Sequence, residues 1–92
     1  MKDRIVEIIE QETESHRKFK HFEELTGIGA RKWQNLQQGK QRANDEMIEA
    51  IGKRWPQYAY WLVTGETDEA HGHTSPILER IRADLKRVGK AA

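Results

Sequence analysis

Four side chains that can each hydrogen-bond in two places lie close together between residues 30 and 38: Arg31, Gln34, Asn35 and Gln38. Their spacing of i, i+3, i+4 and i+7 puts them on one face of an α-helix with about 100° per residue. Arg pairs bidentately with guanine O6 and N7, and Asn or Gln pairs with adenine N6 and N7. This pattern favours a helix that presents a polar stripe to base edges in the major groove of double-stranded DNA.

The other side of the same helix carries its two large apolar residues, Trp33 and Leu36, which lie about 60° apart and predict a buried face. Lys32 on the flank, with Lys40 and Arg42 in the loop that follows, would meet backbone phosphates and set the register without contacting bases. The alternative is an ordinary solvated amphipathic helix, since surface helices are commonly rich in Gln and Arg.

The segment before this helix suggests how it is positioned. Thr26-Gly27-Ile28-Gly29 has the composition of a tight turn, with Ile28 filling the angle between two helix ends. Gly39 is predicted to end the polar helix as its C′ residue. A helix, a tight turn, a second helix from Ala30 to Gln38 and a basic loop follow in the order of a helix-turn-helix.

Apolar periodicity predicts five further helices, and the chain is therefore expected to be all-α. They run from Asp3 to about Glu14, from about Arg17 to Thr26 after an N-cap at Ser15, from an N-cap at Asn44 to Trp55, from Pro56 to Gly65, and from Pro76 onward. Four aromatic residues lie at the end of the helix from Asn44 and in the helix from Pro56: Trp55, Tyr58, Tyr60 and Trp61. They could stack on single-stranded bases, but a core role is favoured because the helices are short.

Positive charge is concentrated on the helix-turn-helix, although the net charge of the chain is only +1. Residues 16–42 carry seven cations and two anions, or +5, whereas residues 1–15 carry −3 and residues 43–75 carry −4. Arg17 and Lys18, at the start of the second helix, are further candidates for phosphate contacts. A merely solvated basic turn is the alternative for each of them.

Residues 66–75 show no apolar periodicity and are expected to link residues 1–65 to a C-terminal helix at 76–92. His71 and His73 have the spacing of a metal pair but lack a third ligand, so no metal or cofactor is predicted. In the C-terminal helix, Leu78, Ile81, Leu85 and Val88 form two turns of a heptad seam. Folding back on the same domain would bury this seam, and pairing with a second copy as a homodimer is the favoured alternative.

Other classes of protein are disfavoured. The chain has no cysteine, no long apolar run and a charged N-terminal segment, which together predict a cytoplasmic protein without a membrane span. No nucleophile is paired with a base, and GIGARK lacks the spacing of a phosphate-binding loop, so no enzymatic activity is predicted.

The segment from Phe22 to Gly65 resembles the λ-repressor-like (Cro/CI or XRE-type) helix-turn-helix regulators of phages and prophages, above all in TGI, W-x-N, GKQR, MIEAI and PQYAYWLVTG. The resemblance covers about half of the chain. It implies a five-helix domain that binds operator DNA as a dimer, with the helix from Ala30 to Gln38 in the major groove. It also adds Ala30 to the base-contacting positions and Gln41 to the phosphate-contacting loop.

Two positions depart from the family pattern. Gly29 stands where many relatives have a capping Ser or Thr, which predicts that one capping contact is lost. Glu23 stands where many relatives have a small residue, so the sequence does not predict how the helix that ends at Thr26 packs against the helix that begins at Ala30.

Two functions follow from these features. The first is a sequence-specific transcriptional regulator, a repressor by the resemblance, that occupies a double-stranded operator. The second is a protein-interaction module that keeps the fold but binds a host protein, as an inhibitor or antitoxin, through the C-terminal helix or the aromatic cluster.

Overall fold

The computed structural model describes residues 1–91, with side chains to Gly89, and confirms an all-α chain. The six α-helices are α1 (Lys2–Glu12), α2 (Lys18–Thr26), α3 (Ala30–Gln37), α4 (Asp45–Arg54), α5 (Pro56–Thr64) and α6 (Pro76–Ala91). Two 3₁₀ turns, Ser15–Arg17 and Glu69–His71, lie between them. In the described part of the chain, no helix combines the length and the apolar composition needed to cross a membrane.

One apolar core joins α1 to α5. Phe22 lies at its centre, edge-on to Trp33 with ring centroids 4.7 Å apart and stacked on Trp55 at 5.2 Å. Trp55, Tyr58 and Trp61 are all buried, which confirms the core role predicted for them, whereas Tyr60 is exposed and packs against the ring of His73. The buried apolar residues are Ile5, Ile8, Ile9, Phe22, Ile28, Trp33, Leu36, Met47, Ile51, Trp55, Tyr58, Trp61 and Leu62.

Most helix ends follow the signals in the sequence. Gly27, Gly39 and Gly65 come after α2, α3 and α5 with φ of 79°, 78° and 80°, in the left-handed region that a side chain disfavours. At Gly65 a Cβ would also lie only 2.5 Å from the Arg4 guanidinium, so the end of that flexible side chain would have to shift. The Asn44 side chain accepts a hydrogen bond from Met47 N at 2.9 Å, as predicted for an N-cap.

The helix α2 begins within one residue of its predicted start, but the predicted N-cap at Ser15 is wrong. Ser15 does not cap it, because residues Ser15–Arg17 form a 3₁₀ turn and α2 begins only at Lys18, after Arg17. The Arg17 backbone N–H donates to Glu14 O at 3.2 Å within that turn. Ser15 therefore lies too far ahead of α2 to accept from its free N–H groups.

Residues 66–75 are anchored to the domain at several points. Asp68 and His73 form an isolated antiparallel bridge around the Glu69–His71 turn. The Thr74 backbone N–H donates to Gln57 O at 2.9 Å, and both Thr74 and Ser75 are buried. The segment thus leads into α6 along a defined path over α5.

α6 lies against α1 through its polar side. Arg80 Nε donates to Gln11 Oε1 at 3.2 Å, and Pro76 at the start of the helix is fully buried. On a helical wheel, Arg80 lies roughly 100° from the centre of the face that holds Ile81, Leu85 and Val88. The apolar face of α6 therefore lies to one side of its contact with α1.

Candidate nucleic-acid interface

The predicted polar stripe of α3 lies on the surface of the domain. Arg31, Gln34 and Gln38 are exposed, and Asn35 is half-buried. Ala30, at the first position of the helix, is also half-buried. Since Trp33 and Leu36 on the opposite side are fully buried, α3 can rotate little without exposing its core face. The orientation of the stripe is thereby fixed.

The turn between α2 and α3 is held by hydrogen bonds from one indole group. Trp33 Nε1 donates to Ile28 O at 3.1 Å and lies 3.2 Å from Thr26 Oγ1. The Thr26 hydroxyl also accepts from Ile28 N at 3.3 Å. A core residue of α3 is thus bonded to the turn that precedes it, which fixes the angle at which α3 leaves α2.

Glu23 of α2 caps the N-terminus of α3. Its Oε1 accepts from Ala30 N at 2.8 Å, while its Oε2 accepts from Lys20 Nζ at 2.8 Å. The hydrogen bond from Lys20, followed by the one from Ala30, lowers the pKa of Glu23 from its usual 4.5. The negative charge also lies at the positive end of the α3 dipole. The carboxylate supplies the capping contact that Gly29, which has no side chain, cannot supply.

The cations around α3 are not neutralised within the protomer. In the described part of the chain, Arg31, Lys32, Lys40 and Arg42 are all exposed and form no ion pair. The neighbouring Gln41 is half-buried. An exposed cation without an internal partner is free to bind an external anion. These side chains therefore give the surface around α3 a local positive charge.

The cations at the start of α2 are paired instead. Arg17 binds Glu24 at 2.8 Å and Lys18 binds Glu10 at 2.6 Å. Lys20 is held by Glu23 at 2.8 Å. The sequence places Arg17 and Lys18 among the candidate phosphate contacts, but here each would first have to leave an acidic partner. Exposed ion pairs contribute only about 0–1 kcal/mol, so the exchange is accessible but less favourable than for an unpaired cation.

Lys2 is a further unpaired cation that the sequence did not single out for this surface. An ideal Cβ on Gly39 would lie 3.8 Å from Lys2 Nζ, so the ammonium group reaches the loop that follows α3. Only the packing of α1 on α3 brings these residues together, 37 positions apart in the chain. No local sequence signal could have revealed this proximity.

The predicted seam of α6 is largely uncovered in the single protomer. Ile81, Leu85 and Val88 retain 48%, 66% and 68% of their exposure, whereas Leu78 is half-buried. Ile77, which precedes the predicted seam, is 52% exposed and adds to the same face. Three of the four seam residues, Ile81, Leu85 and Val88, are therefore not covered by the domain, and only Leu78 is partly packed against it.

The two histidines of the 66–75 segment are engaged separately. His71 Nδ1 lies 2.8 Å from Asp68 Oδ2, while the His73 ring packs against Tyr60. Among the described residues, no group of three or more His, Cys, Asp or Glu side chains has a geometry that could hold a metal ion.

In comparisons with protein-family models, with curated proteins and with solved structures, no match to the chain was found. The resemblance to λ-repressor-like regulators therefore rests on the residues of the sequence that carry it.

Proposed function

We propose that the protein is a sequence-specific, double-stranded DNA-binding transcriptional regulator with a five-helix λ-repressor-like helix-turn-helix domain. The observation that carries this proposal is the coincidence of two features on α3. Side chains suited to base edges face outward, and the cations around them are unpaired, whereas four of the other seven cations of residues 1–65 are held by acidic partners. Such a surface suits double-stranded DNA, because the cations can bind its phosphates and the polar side chains can hydrogen-bond to its base edges.

In this account α3 enters the major groove. Arg31, Gln34, Asn35 and Gln38 contact base edges, and Ala30 packs against them at the N-terminal end of the helix. Bidentate pairs of this kind contribute about 1–3 kcal/mol of discrimination against a wrong base. The capped and bonded turn supports this role, because base readout requires a helix whose axis and rotation are fixed.

Phosphate contacts come from the flank and from the loop that follows. Lys32, Lys40, Gln41 and Arg42 are proposed to bind the backbone and hold the register of α3. Arg17 and Lys18 join them only after exchanging Glu24 and Glu10 for phosphate. They should therefore contribute less to affinity than the unpaired loop cations.

Two protomers are proposed to pair through α6. An eight-residue helix such as α3 spans only about 12 Å, so one protomer can contact few base pairs and gains specificity from a second. The ion pairs of Arg82 with Glu79 and Glu69, and of Arg87 with Asp84, offset two of the five cations of residues 76–92. They reduce the like-charge repulsion that a second α6 would meet.

By occupying an operator, the dimer would act as a repressor in the cytoplasm without any chemical step. The direct test is the salt dependence of binding to duplex DNA, since each phosphate neutralised adds about 0.9 to the slope of log K against log salt. We expect Lys40→Gln/Arg42→Gln to flatten the slope by almost two for each protomer bound, or by almost four for a dimer. The matched control Lys53→Gln/Lys86→Gln, with the same loss of charge, should leave it unchanged. Equal slopes for the two double variants would contradict the proposed interface.

The exposed face of α6 also favours a second function, in which it docks in an apolar groove of a host protein, as amphipathic helices do. Under that account DNA binding is no stronger than that of an unrelated basic protein. Tight capture of a partner that Leu85→Glu abolishes, together with no preference among duplex sequences, would decide in its favour.

A further inference from the structure

A groove of about 490 Å³ lies beside the end of α3, where α1, the loop after α3 and α4 meet. Its walls include Lys2 and Arg42, and its floor includes Leu36 and Ile48, which are buried and half-buried. The groove thus combines an apolar floor with two cationic side chains.

Neither cation is neutralised. In the described part of the chain, Lys2 and Arg42 form no ion pair and no side-chain hydrogen bond, whereas Lys18 and Lys20 are each held by a carboxylate of α1 or α2. Two like charges that line one groove repel each other, and an anion bound between or beside them relieves that repulsion. The groove is therefore better suited to an anionic group than to a neutral one.

The position of Lys2 relates this groove to the stripe of α3. Its ammonium group lies against Gly39, the residue that directly follows Gln38. A DNA strand that passes the end of the stripe would next meet the groove, with its phosphate at the cations and the apolar edge of its sugar at the floor. The groove has the mixed chemistry of a sugar-phosphate unit.

We propose that Lys2 binds a backbone phosphate at the edge of the site contacted by α3, and so extends the phosphate-binding surface from the loop onto α1. The inference rests on the proposed DNA-binding function and adds a contact from outside the helix-turn-helix. Because it involves the backbone only, Lys2 should raise affinity for every duplex sequence alike.

The test compares Lys2→Gln with the matched control Lys86→Gln, which removes an equally unpaired charge from α6. Binding of the full chain to a selected duplex and to a random duplex would be titrated over a range of salt. We expect Lys2→Gln to lower the slope of log K against log salt on both duplexes by about 0.9 for each protomer bound, or about 1.8 for a dimer. Lys86→Gln and Lys2→Arg should keep the wild-type slope.

The outcomes separate the two claims. If the wild type binds duplex DNA with a steep salt dependence that Lys40→Gln/Arg42→Gln flattens, while Lys2→Gln leaves it unaltered, the phosphate contact of Lys2 is refuted and the proposed function stands. If the wild type shows no salt-dependent duplex binding, both are refuted. If circular dichroism melting shows that Lys2→Gln fails to fold, Lys2→Met replaces it, since it removes the same charge and keeps the apolar stem. A slope for Lys2→Met lower than wild type by about 0.9 per protomer supports the contact, and an unchanged slope refutes it.

Discussion

Glu23 Oε1 lies 2.8 Å from the backbone nitrogen of Ala30 and accepts its hydrogen bond, so a side chain of α2 caps the N-terminus of α3. The same carboxylate is held by Lys20 through its other oxygen. This contact fixes the position of α3 relative to α2 at the end where Ala30 and Arg31 are proposed to contact bases. It also supplies the N-terminal cap that Gly29, which has no side chain, cannot provide to α3.

Removing this cap should weaken the fold at the turn. We expect Glu23→Ala to lower the thermal midpoint by several degrees, because Ala30 N then loses its acceptor at a helix N-terminus. Glu24→Ala is the matched control, since Glu24 only pairs with the exposed Arg17 and should change the midpoint much less. Differential scanning calorimetry would compare the two variants, and equal midpoints would show that the cap contributes nothing.

The cap should also make stability depend on pH. The pKa of Glu23 is lower in the folded chain than its usual 4.5, chiefly because of Lys20 and then Ala30 N. The unfolded state therefore binds the proton more readily, so this stabilisation is complete above about pH 4.5 and is lost as pH falls through the folded pKa. The stability difference between wild type and Glu23→Gln should shrink over that range. A difference that stays constant from pH 7 to pH 3 would contradict the lowered pKa.

Arg31 is expected to confer specificity. Arg31→Ala should cost about 1–3 kcal/mol on the preferred duplex, with relaxed selection at one base pair, and much less on random DNA. Competitive titrations with the two duplexes measure the difference. Equal losses on both would show that Arg31 contacts only the backbone.

The two groups of predicted phosphate contacts should differ in strength. Lys40→Ala should weaken binding to all duplexes alike and reduce the salt slope by about one for each protomer bound. Arg17→Ala should reduce it less, because Arg17 is paired with Glu24 in the free protein. Should Arg17→Ala prove as damaging as Lys40→Ala, the ion pair would have no influence on DNA binding.

Pairing through α6 predicts that one substitution separates the protomers without unfolding them. Leu85 is 66% exposed, so Leu85→Glu should leave the thermal midpoint of the domain almost unchanged while shifting the chain to a monomer in analytical ultracentrifugation. Lys86→Glu alters the charge even more, but on the polar side of the helix, and should leave the dimer intact. A wild-type chain that sediments as a monomer at all concentrations would refute the α6 interface.

The helices and the buried face of α3 could be predicted because they depend on local periodicity. Trp33 and Leu36 are three positions apart, and a helical wheel is sufficient to place them together. The cap at Asn44 and the end of α5 at Gly65 are equally local signals. The N-cap prediction at Ser15 fails because Ser15–Arg17 form a 3₁₀ turn ahead of α2, which the local sequence does not distinguish from a helix start.

Tertiary contacts that bear on the candidate site could not be predicted in this way. Whether Arg17 and Lys18 are free depends on where Glu24 and Glu10 lie in space, and Glu10 belongs to another helix. The approach of Lys2 to Gly39 likewise requires the packing of α1 against α3. The partition of cations into paired and unpaired groups is therefore a property of the fold.

The most direct test of the account is selection of binding sites from a random duplex library by the full chain. We predict enrichment of an inverted repeat whose half-sites lie about 34 Å, or one helical turn, apart, and loss of preference at one base pair per half-site with Arg31→Ala. Failure of the wild-type chain to enrich any sequence would contradict a sequence-specific DNA-binding function and would favour the protein-interaction module.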